Sequence, residues 1–383
     1  MPHLFWLILV TCYGACVGSF LNVVIYRLPE RQSLIHPGSH CPKCGHKLAW
    51  WDNIPILAWL WLRGKCRYCK TPISIQYPII EAVCAALFAG LYGVYYFTEL
   101  RPEIFHHALP LNGLELTWPA FALHLVMIAA LLAATMIDAR LYIIPLSIPW
   151  LVTVLAVLWL PVAVGMGWMG PIEGLVPQVA SPAGLGMALG GVAGLAAAVA
   201  LLQTGMMPRS FDDVEEQVTD PAPPDEFMAH PHPRREVLKE SPFLLLPAVG
   251  VLAGYLLFPD IELPAWLRVL GGVLAGYLVG AALVWGTRIL GTLGFGKEAM
   301  GLGDVHLLAA IGAVLGPWEA VFTFFLAPFF GLFAALAMAG VAQLLKGQVR
   351  VIPYGPYLAG AALVVMVLRE PLFEFFWYRV TLP

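Results

Sequence analysis

Long apolar runs alternate with short polar stretches along the whole chain. A membrane-crossing helix takes about 20 mainly apolar residues, and runs near that length occupy 3–26, 77–97, 119–137, 145–165, 183–204, 266–290, 318–344 and 355–372. A shorter run at 243–258 and another from residue 304 to about 316, closed by Gly316-Pro317, complete the series. Helices satisfy every backbone group internally, as a bilayer requires. The pattern therefore predicts an all-α polytopic membrane protein with about ten apolar spans.

The polar stretches set the boundaries. Residues 1–26 read as a first transmembrane anchor and 27–76 as a small soluble insertion. Residues 77–204 form a group of spans, 205–242 a polar loop, and 243–383 the remaining spans. The 205–242 stretch carries Asp212, Asp213, Glu215 and Glu216 and several prolines, a composition unable to bury enough apolar surface to fold alone. It is expected to be disordered. Gly14-x-x-x-Gly18 in the first span lets another helix approach closely. Pro145 is expected to open the fourth span.

Composition agrees with the pattern: 60% of the 383 residues are hydrophobic and 12% are charged, against about 25% charged in soluble domains. Neither a basic balance nor a nucleic-acid motif is present, so no nucleic-acid partner is expected. The distribution of charge gives orientation. Arg27, Arg31, Lys43, Lys47, Arg63, Lys65, Arg67 and Lys70 are opposed only by Glu30 and Asp52, which places 27–76 in the cytoplasm and the N-terminus outside. Met1-Pro2-His3 lacks the basic flank of a secretory signal, so the first span is expected to stay as an anchor. Arg101, among Glu99, Glu103 and Glu115, suits an outer loop.

Four of the seven cysteines form two Cys-x-x-Cys pairs, Cys41-Pro-Lys-Cys44 and Cys66-Arg-Tyr-Cys69. Two such knuckles offer four thiolates to one tetrahedral zinc and hold together a segment too short to build a core. The spacing resembles a zinc ribbon. Disulfides are the alternative, but the cytoplasmic face is reducing. His36, His40 and His46 are expected at the surface. Cys12, Cys16 and Cys84 lie in apolar runs, where cysteine packs as a small hydrophobe.

Two aspartates stand at the ends of apolar segments. Asp138 closes the third span and Asp304 ends Gly301-Leu302-Gly303-Asp304. The span count places both on the cytoplasmic side. Carboxylates at such positions are costly and commonly functional. Two close carboxylates split their titration, so one can activate water while the other polarises a carbonyl; the aspartic proteases are the general example. Gly301 and Gly303 allow unusual backbone geometry and leave room for a substrate strand. Taken singly, each acid also has a plain structural reading, with Asp304 capping the helix that follows and Asp138 paired with Arg140. Glu81 opens the second span, either as a cap or as a contact to substrate or cofactor. Asn22 and His124 suit hydrogen bonds within the bundle. Gly291 to Lys297 matches the start of a phosphate-binding loop, but Glu298 follows where Ser or Thr is required, so nucleotide binding is excluded.

Four stretches together resemble the bacterial type IV prepilin leader peptidases, a family of bifunctional peptidase/N-methyltransferases. They are Gly18-Ser-Phe-Leu-Asn22 to Pro29; His36-Pro37 through both cysteine pairs to Tyr77-Pro78, including Asn53-Ile-Pro55; the neighbourhood of Asp138 to Pro145; and Met300-Gly-Leu-Gly-Asp304 to Gly316, joined by Pro353-Tyr-Gly355-Pro356. The resemblance implies an aspartyl endopeptidase of the bacterial inner membrane. It would cut the basic leader from prepilins or pseudopilins of type IV pili and type II secretion, at the cytoplasmic face. Asp138 and Asp304 match the catalytic pair, and Cys41, Cys44, Cys66 and Cys69 match the zinc tetrad. Many members then methylate the new N-terminus with S-adenosylmethionine.

The chain departs from the family pattern at His306, where Lys is usual, and at Leu146 after Pro145. It departs again at Gln76 and Ala85, near Glu81, which bear on the methyltransferase, so a peptidase-only member is one alternative. The family typically has eight spans, and the pair flanking 205–242 reads as an insertion. A proton-coupled transporter is the alternative from another class; no inverted repeat and no acid deep in a span support it.

Overall fold

The computed structural model describes residues 2–101, 104, 113–211, 232–345 and 353–381. Among them the chain is helical. The elements in order are α1 (Pro2–Arg27), α2 (Leu57–Trp61), α3 (Gln76–Tyr96), α4 (Gly113–Leu141), α5 (Ser147–Gly165), α6 (Pro182–Gln203) and α7 (Pro233–Leu238). They continue with α8 (Pro242–Leu257), α9 (Ala265–Phe295), α10 (Leu302–Leu315), α11 (Pro317–Leu345), α12 (Gly355–Val367) and α13 (Arg369–Thr381). Among the described residues, eight segments are long and apolar enough to cross a membrane, and α10 and α12 are shorter apolar helices. The protein is thus a multi-pass membrane protein, and ten apolar segments match the expected number.

Two compact units divide the chain: Met1–Ile148 with Met366–Pro383, and Pro149–Val365. In the first, α1, α3 and α4 pack together. Gly14 and Gly18 of α1 make this possible, because a Cβ on either would lie 2.9 Å or less from the Cα of Ala85 or Glu81 on α3. Asn22 reinforces the seam, its side-chain amide donating to the carbonyls of Gly18 and Tyr77 at 3.2 Å. His124 meets the Tyr95 hydroxyl at 2.7 Å inside the bundle, as expected. Arg101 does not sit in an open loop. It is buried, donates to the Met366 carbonyl and lies over the Tyr95 ring, where the carbonyl end of α12 favours a cation.

In the second unit, α6 and α8 form an intimate pair. Gly190 faces Gly250, and Gly186 faces Gly254, at separations where any side chain would overlap the opposing carbonyl. Small-residue faces of this kind let helices associate where no hydrophobic effect draws them together. These are the two spans read as an insertion, and α9 packs against α6 as well.

Several boundaries differ from the expected ones. The helix after Pro145 begins at Ser147, and Asp138 lies within the last turn of α4 rather than beyond it. The last apolar run breaks after Val367, and α13 follows. Within the stretch expected to be disordered, Pro233–Leu238 is helical, while 212–231 lies outside the described residues, as do Lys346 and Arg350. Residues 291–295, the start of the rejected phosphate-loop match, are simply the end of α9, which stops at Gly296 in the left-handed region.

Candidate functional site

Asp304 occupies the first turn of α10 and is 8% exposed. It does not cap the helix: Gly301 holds the cap position, and no side chain caps it. Gly301 has ordinary extended torsions, φ −74° and ψ 149°, so its backbone freedom is not what the site uses. The space matters instead. A Cβ at 301 would lie 3.3 Å from Oδ2 of Asp304, closer than a side chain normally approaches. Gly303 is the second residue of α10. The first turn of a helix favours an anion, so the fold supports a carboxylate at this point. Tyr354, from the Pro353-Tyr-Gly355-Pro356 stretch, lies near enough for burial and the Asp304 charge to push its phenol well up. His306 is half-buried beside the indole of Trp150, ring centroids 5.8 Å apart.

Asp138 is 4% exposed in the last turn of α4, between buried Ile137 and exposed Ala139 and Arg140. It belongs to the first unit, whereas Asp304 and His306 belong to the second. Glu81 is also in the first unit, buried on α3, where its Oε2 accepts the Ile56 amide at 2.6 Å. That amide belongs to a tight reversal. Ile56 has φ 62° and ψ −53°, and the Leu57 amide reaches back to the Pro55 carbonyl at 2.5 Å. This is the strained form of a three-residue turn, and Glu81 fastens it to the membrane helix.

The soluble insertion is built from two matching knuckles. The Gly45 amide returns to the Cys41 carbonyl at 2.8 Å, and the Lys70 amide to the Cys66 carbonyl at 3.1 Å. Cys41 and Cys66 amides then reach forward to His46 and Thr71 carbonyls. Four sulfurs converge, all within 4.8 Å of one another, and Cys41 and Cys69 are 3.8 Å apart. A disulfide would hold sulfurs at about 2.05 Å. A tetrahedral ion with metal–sulfur bonds of about 2.3 Å spaces them by about 3.8 Å, so the cluster fits a zinc-sized ion. The Thr71 hydroxyl and amide bring the Cys69 thiol down to about 6, and the Cys44 and Lys43 amides lower Cys41. The His46 amide favours the Cys44 thiolate, yet burial and the neighbouring sulfurs leave Cys44 at about 11. Asp52 braces the second knuckle through a forked pair with Arg67, at 2.6 to 3.1 Å, and the Tyr68 ring lies against His46, tilted by 35°. Of the remaining cysteines, Cys84 is buried, while Cys12 and Cys16 lie on the outer face of α1.

One cluster escaped the sequence reading. Arg288, inside the apolar run 266–290, is buried against Glu240 and Glu298. The signal was there: an arginine in a membrane helix requires a carboxylate or carbonyl partner.

These features define a polytopic helical membrane protein with buried carboxylates in both units, Asp138 and Asp304 among them, and a four-thiol cluster. Residues 12–95 match the model described as the bacterial peptidase A24 N-terminal domain, and 239–336 match that of the type IV leader peptidase family. Proteins named prepilin leader peptidase/N-methyltransferase are similar along nearly the whole chain. That of Aeromonas salmonicida is 27% identical over 98% of this chain and 94% of its own length. That of Aeromonas hydrophila is 28% identical over 97% and 92%. A shorter match, to the protein of that name from Myxococcus xanthus, is 59% identical over 75 residues, 20% of this chain and 22% of the relative. No solved structure matches the chain. The chain is thus similar to the type IV leader peptidase family in both matched regions and, at lower identity, along nearly its whole length.

Proposed function

We propose that this protein is an aspartyl endopeptidase of the bacterial inner membrane. It removes the leader from type IV prepilins or pseudopilins at the cytoplasmic face and methylates the new N-terminus. The observation that carries the reading is the joint match of both family domains, with Asp304 buried at the mouth of α10 inside the second. Orientation rests on the basic residues between Arg27 and Lys70, which keep the insertion in the cytoplasm and the N-terminus outside.

In this reading Asp138 and Asp304 are the catalytic pair. One carboxylate takes a proton from water as it attacks the scissile carbonyl, and the other, protonated, donates to the carbonyl oxygen. The helix ends differ in the charge they favour. Asp304, in the first turn of α10, suits the base; Asp138, in the last turn of α4, suits the acid. Gly301 leaves the Asp304 carboxylate open to a substrate backbone. Cys41, Cys44, Cys66 and Cys69 hold a structural zinc that ties the insertion together.

Methylation requires S-adenosylmethionine as donor. Glu81, the one acid of α3, is engaged by the Ile56 amide.

The test is cleavage of a purified prepilin by the purified protein, alongside Asp138→Asn and Asp304→Asn. Cleavage by the unsubstituted protein and loss in both folded variants is the expected result. Activity persisting in either variant excludes the paired-carboxylate mechanism. Transfer of labelled methyl from S-adenosylmethionine to the cut product tests the second activity separately.

A further inference from the structure

Arg288 is 4% exposed and sits two turns before the end of α9. Its side chain makes a forked contact with Glu240, Nε to Oε2 at 2.9 Å and Nη2 to Oε1 at 3.0 Å. The remaining nitrogen, Nη1, donates to Glu298 Oε1 and to the main-chain carbonyl of Met300. Met300 immediately precedes Gly301-Leu302-Gly303-Asp304. One guanidinium therefore joins two chain segments that are 48 residues from Glu240 to Arg288 and 12 from Arg288 to Met300.

The surroundings are built to the same end. Trp285, one turn earlier on α9, donates to Glu240 Oε2 at 2.8 Å and stacks on Phe243. Thr292, one turn later, accepts the Ala299 amide at 3.1 Å. Positions 285, 288 and 292 lie on one helix face, and that face carries the loop leading to Asp304. Both described ends of the polar stretch between α6 and α8 meet on it. Ser210 donates to Glu240 Oε1 at 2.9 Å, the Phe211 ring lies 5.3 Å from the guanidinium carbon, and Arg234 on α7 donates to the Gly294 carbonyl at 3.2 Å. A fork-shaped cation with five donors is the group suited to fixing a carboxylate and a carbonyl at once.

We propose that Arg288 is a positioning residue for Asp304. Held by Glu240, it fixes the Glu298–Met300 loop, and it makes the ends of the inserted polar stretch part of the scaffold of the peptidase site. The inference rests on the leader-peptidase reading for its kinetic consequence, but the clasp itself can be measured without substrate.

Arg288→Met, Arg288→Lys, Glu240→Gln and the double variant Arg288→Met/Glu240→Gln are compared with the unsubstituted full-length protein in detergent. Four quantities are read: kcat and KM on a purified prepilin, the melting temperature, and the rate of tryptic cutting after the exposed Lys297. Arg288→Met and Glu240→Gln are expected to lower kcat by about tenfold or more, since small misplacements of reacting groups are that costly, with KM within about twofold. Cutting after Lys297 is expected to accelerate in both. Arg288→Lys keeps the charge without the fork and is expected to fall between.

The double variant separates positioning from folding. Removing both charges spares the fold an unpaired buried ion, so its melting temperature recovers toward the unsubstituted value. Neither new side chain ties Glu240 to the Met300 carbonyl, so kcat stays low and Lys297 stays fast to cut. Recovery of kcat together with melting temperature in the double variant would overturn the proposal, as would cutting rates unchanged in every variant. If the unsubstituted protein cleaves no prepilin, the leader-peptidase reading fails, and the cutting rates still decide whether the clasp orders the loop.

Discussion

Gly276 on α9 and Gly312 on α10 meet backbone to backbone: a Cβ added to either would overlap the carbonyl of the other. Gly280 does the same against the Leu308 carbonyl one turn away. This contact sets the line of α10 from behind, and Asp304 stands at the front of that helix. No flexible side chain is available to yield, so the helices themselves must part. Gly312→Ala and Gly276→Ala are each expected to cost about 1–3 kcal/mol through overpacking. A lowered melting temperature in detergent, accompanied by reduced cleavage, checks this. Full stability in Gly312→Ala would mean that α9 and α10 do not pack as closely as described.

A gentler substitution isolates the carboxylate. Gly301 lies at the helix cap with torsions open to any residue, and only the Asp304 Oδ2 lies within reach of a new Cβ, at 3.3 Å. Gly301→Ala should therefore leave the melting temperature within about 0.5 kcal/mol equivalent of the original, the range of harmless surface changes. It should lower kcat, because the carboxylate must give by a few tenths of an ångström. An unchanged kcat would show that the space beside Asp304 is unused.

The spans were readable because length and apolarity alone define them: a helix that must satisfy its own backbone in a bilayer shows itself in one dimension. The two knuckles were readable because cysteine spacing is local. What escaped depends on contacts between distant positions. Arg288 finds Glu240 across 48 residues, and Arg101 finds the Met366 carbonyl across 265. Neither partner can be read from neighbours in the sequence. The sequence offers Asp304 as a cap, and the structure moves that place to Gly301, because the helix begins at Leu302. Of the two roles the sequence offers for Gly301, backbone freedom and space, its extended torsions leave the second, because a Cβ there would crowd Oδ2 of Asp304.

The two knuckles share a positive-φ position but fill it with different residues, so adding a side chain at one and removing it at the other should have opposite effects. The residue after each second cysteine pair member adopts positive φ: Gly45 at 68° and Lys70 at 60°. Glycine adopts this conformation without strain, and a residue with a Cβ pays about 1–2 kcal/mol. Gly45→Val is expected to weaken metal retention, and Lys70→Gly to preserve or strengthen it. Zinc content of the purified variants after a graded chelator challenge reads both. Cys66→Ser, which removes one of the four converging thiols, serves as the reference for loss. Equal zinc retention in Gly45→Val and Lys70→Gly would exclude the asymmetry.

His306 lies two residues beyond Asp304 on α10, beside Trp150. An imidazole ordinarily changes charge near pH 6.5 and an ammonium near pH 10.4. With His306, a charge two residues from Asp304 can be gained or lost with pH; with lysine it stays fixed. A cation favours the ionised form of a neighbouring carboxylate. The plot of log kcat/KM against pH for the unsubstituted protein is expected to show an inflection that His306→Lys lacks. The variant should then hold its activity farther toward acid pH, because the carboxylate keeps a cationic neighbour throughout. His306→Gln, which is neutral at every pH, should lose the inflection without that extension. Profiles that coincide for all three proteins would remove His306 from the electrostatics of the site and leave it as a packing partner of Trp150.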